Sequence, residues 1–210
     1  MIAHHPSDDS LAHYAAGNLA AGPRLVIATH LSGCPECRAR VRAFEAVGGA
    51  LIDECALADL PPDGLDRVFA RIAAPELHCA KTLPVHHPEL PAPLRHYPIG
   101  PWRFVHPGLR WRRVTMPEAP DANVIMLKVG AGQKVPQHTH TGTEYTQVIT
   151  GSFSDAFGRY RAGDCVEADE DVDHQPVVDL DGECICLAAV EGRLRLDSWV
   201  GRMLQPLIGI

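Results

Sequence analysis

Residues 132–151 read GQKVPQHTHTGTEYTQVITG, with two histidines and a glutamate between two glycines. Side chains two residues apart in a strand point to the same side, so we expect His138 and His140 to face one way. Glu144 follows a short turn and can return toward both imidazoles from the paired strand. With His174 further along the chain, three imidazoles and one carboxylate form a donor set for zinc, iron, manganese or nickel. The alternative, an exposed His-x-His pair that binds nothing, accounts less well for the spacing of Glu144.

The sequence around this stretch has the pattern of an all-β domain. From Trp102 onward, short segments rich in Val, Ile, Leu and Tyr alternate with Gly, Pro and Asp. The segments predicted to be strands are 111–116, 123–129, 145–150, 152–157, 165–167, 183–189 and 194–199. Regularly spaced short strands of this kind are typical of a sandwich or a barrel.

Residues 132–151 match the first cupin motif, G-x5-H-x-H-x3-E-x6-G, at every fixed position. The second motif, G-x5-P-x-G-x2-H-x3-N, is met in part: its first glycine and its histidine are present, and three other positions differ (Asp169, Asp171 and Val178). The segment 102–200 therefore resembles a cupin, which implies a double-stranded β-helix barrel that holds the metal. The resemblance says little about a reaction, because cupins include enzymes and non-enzymes.

A second group of metal-binding residue types lies in the run HLSGCPEC, residues 30–37. It reads H-x3-C-x2-C, and two thiolates with an imidazole suit tetrahedral zinc. A fourth ligand must come from elsewhere, and either His4 or His5, just before the first predicted helix, is the natural candidate. A shell of two cysteines and two histidines has no open position, so it predicts a structural zinc site rather than a catalytic one. The alternative is a pair of helix cysteines without a metal.

Residues 1–74 read as helical. Ser7 can cap a first helix, Pro23 and Pro35 suit the first turns of a second and a third, and Asp63 can cap a fourth. Two apolar stripes recur at helical spacing, one on the third helix (Val41, Phe44, Val47, Leu51) and one on the fourth (Leu65, Val68, Phe69, Ile72). Each stripe is either core or a surface for a partner, and the residues alone leave this open.

Residues 75–101 hold seven prolines and four histidines, a density that opposes helix interiors and central strands. We predict a linker there. The predicted organisation is therefore a small all-α zinc-binding domain (1–74), a linker (75–101), an all-β cupin-like domain (102–200) and a short tail (201–210).

The helical part resembles the zinc-binding anti-sigma domains, in which an N-terminal histidine precedes H-x3-C-x2-C. The whole chain resembles the cupin-containing zinc-binding anti-sigma factors of the singlet-oxygen response, with matches over 4–8, 28–40 and 46–49. By that resemblance the zinc ligands are His5, His30, Cys34 and Cys37. The cupin ligands that it implies are His138, His140, Glu144 and His174, with zinc or another of the four metals.

The resemblance implies a regulator and not an enzyme. The helical domain would bind a group IV (ECF) sigma factor and hide the surface that engages RNA polymerase. The cupin would respond to singlet oxygen or a related oxidant, after which the sigma factor is released. The formal charge of −7 and the lack of a basic stripe argue against direct binding of nucleic acid.

Other features of composition predict the compartment. The N-terminus lacks the basic and apolar regions of a signal peptide, and no apolar run approaches membrane-spanning length. We expect a cytoplasmic protein without a membrane partner. Seven cysteines in a reducing compartment favour metal or redox chemistry over a disulfide framework. Cys184 and Cys186 lie on one side of a predicted strand, where they either line the barrel or are simply buried.

Two other interpretations remain open. The first is a metal-dependent cupin enzyme, a dioxygenase or an isomerase, with an appended structural zinc domain. The second is a thiol switch in which oxidation of Cys34 and Cys37 ejects zinc. The anti-sigma interpretation is favoured because a catalytic cupin needs no helical zinc module.

Overall fold

The structure, a computed structural model, describes residues 2–74 and 87–196. Helices come first and strands follow, which confirms the predicted class of an α part and a β part. The α-helices in the described residues are α1 (Asp8–Ala15), α2 (Ala21–Gly33), α3 (Pro35–Asp53) and α4 (Gly64–Ala73), and a short 3-10 helix covers Ala92–Leu94. None of the helices in these ranges has the length and hydrophobicity needed to cross a bilayer.

The predicted start signals lie at the observed helix ends. Ser7 Oγ accepts a hydrogen bond from the Ser10 amide at 3.2 Å and so caps α1. Pro23 lies in the first turn of α2, and Pro35 opens α3, where the missing N–H costs nothing. Cys34 is the N-cap of α3, with Sγ accepting from the Cys37 amide at 3.4 Å. The turn that joins α2 to α3 is therefore built by a predicted zinc ligand.

The β part is antiparallel throughout its strand pairs. Its strands are β1 (Arg103–His106), β2 (Leu109–Arg113), β3 (Val124–Val129), β4 (His138–His140), β5 (Glu144–Thr150), β6 (Ser152–Ser154), β7 (Arg159–Arg161), β8 (Cys165–Ala168), β9 (Val177–Val178), β10 (Cys184–Val190) and β11 (Leu194–Leu196). They form sheets of order β1-β2-β3-β10-β5-β8, β7-β6-β9 and β11-β4. Each predicted strand segment overlaps an observed strand, although residues 197–199 of the last segment lie outside the described residues.

Residues of the large sheet and of the smaller sheets together line one internal cavity, as in a barrel. β10 lies at the centre of the large sheet, between β3 and β5. The inward-facing residues of these strands are mostly apolar, and they form two buried clusters.

The helices pack against the outer face of the large sheet. Leu25 and Ile27 of α2 share one buried cluster with Met126 of β3 and Leu187 of β10. Gly22 allows the close approach, because a Cβ there would lie 3.2 Å from atoms of both Ala189 and Val124. The helical and β parts therefore have a common core, although each carries its own predicted metal site.

Part of the predicted linker belongs to this core, which corrects the prediction for residues 87–101. Leu90 and Leu94 are buried, and Ile99 forms a β-bridge with Val114. The prolines here lie outside the named strands, where the chain needs no ladder hydrogen bond from them. Residues 75–86 and the predicted tail (201–210) lie outside the described residues, and the domain boundaries stay predictions.

The second half of α3 and all of α4 are exposed. Residues 45–60 are exposed throughout, and nine of the ten residues of α4 are as well. The apolar stripe of α4 faces solvent, with 52 to 73% of each residue accessible (Leu65, Val68, Phe69 and Ile72). Val47 and Leu51 of the α3 stripe are also exposed, whereas Val41 is buried. The stripes are therefore not core in this chain, apart from the start of the first.

Candidate metal centres

The four predicted zinc ligands come together where the N-terminal segment crosses the α2–α3 turn. One ligand atom from each of His5, His30, Cys34 and Cys37 lies within 4.8 Å of every other. His30 belongs to the last turn of α2, and Cys37 lies in the first turn of α3. His5 precedes α1 and reaches across to both sulfurs. The group can hold a metal ion, and its three residues from the α2–α3 corner are fully buried.

The orientation of His30 fits metal binding. Its Nδ1 faces two acceptors, Gln147 Oε1 at 3.1 Å and the Gly163 carbonyl at 3.0 Å, so Nδ1 carries the proton. The lone pair is then on Nε2, which lies 3.3 Å from Cys37 Sγ. Ligand histidines usually have this arrangement, with the second ring nitrogen donating to an oxygen that fixes the ring. Both acceptors belong to the β part.

The structure distinguishes His5 from His4. His5 Nδ1 lies 3.4 Å from Cys34 Sγ and 3.2 Å from Cys37 Sγ. The His4 ring turns the other way, with Nδ1 3.3 Å from Asp164 Oδ2. Asp164 Oδ1 also accepts from the amides of Ala3 and His4 at 2.7 and 3.1 Å. A buried carboxylate of the β part therefore holds the segment that presents His5.

The electrostatics of this corner suit a cation between the sulfurs. Burial, together with the hydrogen bond and charge of Cys34, raises the pKa of the Cys37 thiol to about 12 in the metal-free chain. Burial also lowers the pKa of His30, so its imidazole stays neutral and available as a ligand. Thiolates are stable in such a place only next to a positive charge, which a bound metal supplies.

The predicted cupin ligands also come together, inside the barrel. Ligand atoms of His138, His140, Glu144 and His174 all lie within 4.8 Å of one another. The two histidines of β4 point the same way, as the strand period predicts, and both are buried. Glu144 is the first residue of β5, and His174 joins His138 through an isolated β-bridge.

Two of these imidazoles face each other in a way that calls for a cation. His138 Nδ1 lies 2.7 Å from the Pro136 carbonyl, and His174 Nδ1 lies 3.1 Å from Asp155 Oδ2, so both Nδ1 atoms donate. In the neutral rings the lone pairs are then on the two Nε2 atoms, which lie 3.1 Å apart. Two lone pairs at this distance repel unless a proton or a metal ion lies between them.

His140 and Glu144, the other two members of the cupin group, also lie in positions that call for a cation. His140 Nε2 lies 2.6 Å from Glu144 Oε2, yet neither buried atom has a hydrogen bond of proper geometry among the described residues. Burial alone would raise the pKa of Glu144, but His138 and His140 outweigh it and hold that pKa well below its usual range. An ionised carboxylate beside three imidazoles, in a buried place, fits a divalent cation.

Residues that no motif indicated support both groups. Asp155, almost fully buried, aligns His174, and Thr146 Oγ1 donates to Glu144 Oε1 at 2.6 Å. In the helical group, Gln147 orients His30, and Asp164 holds the segment that presents His5. Sequence alternation along β5 could have indicated Gln147, since a polar residue on the sheet face opposite to Glu144 needs a partner.

The thiols of Cys184 and Cys186 lie 3.6 Å apart, and both residues line the barrel cavity. This resolves the two predicted locations in favour of the barrel lining. A hydrogen bond between the two thiols, and then burial, raises the pKa of Cys186 well above its usual range. Cys186 is therefore held as a thiol rather than a thiolate.

Comparison with known proteins agrees with these features. Residues 98–192 match a family model described as the ChrR cupin-like domain. The chain is 39% identical to the anti-sigma-E factor ChrR of Cereibacter sphaeroides over 217 aligned positions, which cover 100% of this chain and 99% of the relative. It is also similar to the ChrR chain in a crystal structure of Rhodobacter sphaeroides SigE in complex with ChrR. That match has 38% identity and a TM-score of 0.75, and covers 91% of this chain and 100% of the other.

The similarity extends over both metal groups, the helices and the barrel. At this identity and coverage, the chain belongs to the ChrR family of cupin-containing anti-sigma factors.

Proposed function

We propose that this protein inhibits an ECF-type sigma factor by binding it with the exposed faces of α3 and α4. The observation that carries the proposal is the uncovered apolar stripe of α4, in a chain whose relative is an anti-sigma factor. A similar chain was crystallised with the sigma factor SigE. Inhibition by this route needs no contact with DNA, in keeping with the net charge of −7.

The exposed surface has the chemistry of a protein interface. The stripe of α4 presents Phe69 with three aliphatic neighbours, and the end of α3 adds Val47, Leu51 and Ile52. An uncovered apolar stripe like that of α4 is rare on monomers without a partner. Amphipathic helices bind grooves of a partner through i, i+3, i+4 and i+7 anchors, which is the spacing of Leu65, Val68, Phe69 and Ile72.

We propose zinc as the ion of the helical group, with His5, His30, Cys34 and Cys37 as its four ligands. Two thiolates and two imidazoles favour zinc, and a four-ligand shell leaves no position for a substrate. The role of the ion would then be structural. It would join α2, α3 and the N-terminal segment at one corner and so set the direction in which α3 presents its exposed end.

We propose that His138, His140, Glu144 and His174 bind the second metal ion, zinc or iron, manganese or nickel. The cupin would then be the part that responds to singlet oxygen or a related oxidant, and the response would release the sigma factor. We expect this to occur in the cytoplasm, where sigma factors act.

A pull-down tests the proposal most directly. The full chain would be co-expressed with each ECF sigma factor of its own organism, with zinc in the medium. We expect a stable complex that Phe69→Asp weakens at least tenfold, because a buried aromatic anchor typically dominates such an interface. Arg67→Ala, on the opposite face of α4, is the matched control and should bind as the parent does. Absence of a complex with the zinc-loaded parent chain would contradict the proposal.

A metal-dependent enzyme remains the second candidate, because the barrel has a cavity beside the cupin group. A dioxygenase or isomerase would bind its substrate there. Turnover of a small molecule by the metal-loaded full chain, independent of any sigma factor, would favour that function.

A further inference from the structure

The barrel encloses a cavity of about 130 Å³ whose wall is mostly apolar. Trp111, Leu127 and Phe153 are among the side chains that line it, while His138, Glu144 and His174 lie on one part of the wall. An apolar cavity of roughly 150 Å³ in another protein is known to stay dry and to accept benzene. The volume here therefore suits a body of about six heavy atoms.

The polar capacity of the wall is concentrated at the candidate metal group. The hydroxyl of Thr146 donates to Glu144, and the Nδ1 atoms of His138 and His174 donate to Pro136 and Asp155. Among the described residues that line the cavity, none is a lysine or an arginine. A charged group bound here could be balanced only at the His/Glu group, since a charge in an apolar place is costly unless it is paired.

The volume of the cavity and the position of its polar groups together define a class of ligand. We propose that the cavity binds a compact apolar molecule with a single anionic oxygen head group, a carboxylate or a phenolate with a body of benzene size. The head would lie toward His138, Glu144 and His174, and the body against Trp111 and its apolar neighbours. A second charge on the molecule would be left unpaired in the wall, so dianions are rejected.

The inference deepens the proposed function of the cupin part and rests on it, because it names the kind of molecule through which the barrel would respond. Its wall includes residues of β5 and β10, and α2 packs on the outer side of both strands. Occupation of the cavity would therefore press on strands that the helical part also contacts.

The test uses the full chain with both metal groups loaded. Benzoate and phenol would be titrated by calorimetry and by the fluorescence of Trp111, with succinate as the dianion. We expect Kd values for benzoate of about 1 mM or tighter, given the ligand's size, and at least tenfold weaker binding of succinate. Trp111→Phe identifies the fluorescence change as a signal from the cavity.

Variants in which a larger side chain fills the cavity provide a second test. Ala188 is buried and lines the wall, so Ala188→Leu should weaken benzoate at least tenfold while both metal ions are retained. Ala131→Leu, an exposed alanine of the same barrel, is the matched control. If Ala188→Leu fails to fold, Val166→Phe serves as a second filling variant.

The outcomes separate this inference from the function itself. Failure of benzoate and phenol to bind the metal-loaded chain, or unchanged binding in a folded filling variant, overturns the ligand class. The sigma complex is measured on the same preparations, and an intact complex in that case leaves the anti-sigma proposal standing. Absence of a complex in ligand-free preparations that still bind benzoate would reject the anti-sigma proposal and keep the binding site.

Discussion

Gln147 Oε1 lies 3.1 Å from His30 Nδ1, and Gln147 follows Glu144 by three residues on β5. Because side chains alternate along a strand, Glu144 points into the barrel while Gln147 points toward the helices. One strand therefore supplies a candidate ligand to the cupin group and an orienting acceptor to a candidate zinc ligand.

Replacing Gln147 should weaken the helical metal site without removing a ligand. Gln147→Leu leaves His30 Nδ1 with the Gly163 carbonyl alone. Loss of such a partner costs about 10- to 100-fold in metal affinity, and we expect the lower end because one acceptor stays. Competition with a chromogenic chelator measures the affinity, and Gln133→Leu, an exposed glutamine, is the control. Equal affinity in parent and variant would mean that the carbonyl alone orients His30.

The cupin group has its own orienting residue, Asp155. Asp155→Asn keeps the shape but weakens the hydrogen bond to His174 Nδ1, so affinity for the cupin metal should fall by about 10- to 100-fold. Affinity at the helical group should not change, and metal analysis at limiting supply shows which ion is lost. Asp121→Asn is the control, because Asp121 is an exposed aspartate that precedes β3 and belongs to neither metal group. A parallel loss of both ions would point to general unfolding instead.

Removing a sulfur should remove the zinc and loosen the helical corner. Cys34→Ser or Cys37→Ser should lower bound zinc by about one equivalent per chain, because the shell needs all four donors. The same variants should lose the sharp thermal transition that reports packing of α2 and α3. Cys55→Ser, an exposed cysteine near the end of α3, should behave as the parent does. Retention of a full zinc equivalent in Cys34→Ser would exclude that residue as a ligand.

The pH dependence of the N-terminal clamp follows from Asp164. Burial would raise the pKa of its carboxyl, but hydrogen bonds from the amides of Ala3, Arg161 and His4 outweigh it, and the pKa is lowered. A lowered pKa contributes stability that is fully present above the unfolded pKa of about 3.9 and is lost as the pH falls through the folded value. Asp164→Asn should therefore cost about 1 to 3 kcal/mol, and the cost should be constant between about pH 5 and 8.

Urea unfolding of parent and variant at several pH values measures this difference. Gln133→Leu, an exposed glutamine elsewhere in the barrel, sets the baseline for a surface change. A difference that changes by half or more between about pH 5 and 8 would show instead that the Asp164 carboxylate alone does not supply the interaction.

The motifs predicted much of this molecule because they are local. The spacing of His138, His140 and Glu144 specifies a strand and a turn, and the structure has both. The H-x3-C-x2-C run indicated the α2–α3 corner for a similar reason, since Pro35 favours a helix start. Local chemistry of this kind does not depend on where the rest of the chain lies.

No local sequence motif indicated the long-range contacts. Asp164 is 160 residues from His4 in the sequence, and nothing near either residue indicates that they pair. The choice between His4 and His5 depends on that pair, so only the resemblance to a family could make it in advance. The proline-rich segment misled for the opposite reason: its composition predicts a linker, yet Leu94 is fully buried against the core.

The exposed α4 has a consequence for how the protein is made. A ten-residue helix is marginal by itself in water, and its stripe would attract other apolar surfaces, including second copies of this chain. We therefore expect the chain to aggregate when it is produced in excess and to remain dispersed when a sigma factor is produced in equal amount. The surface that we propose for binding the sigma factor would also require matched synthesis of the two proteins.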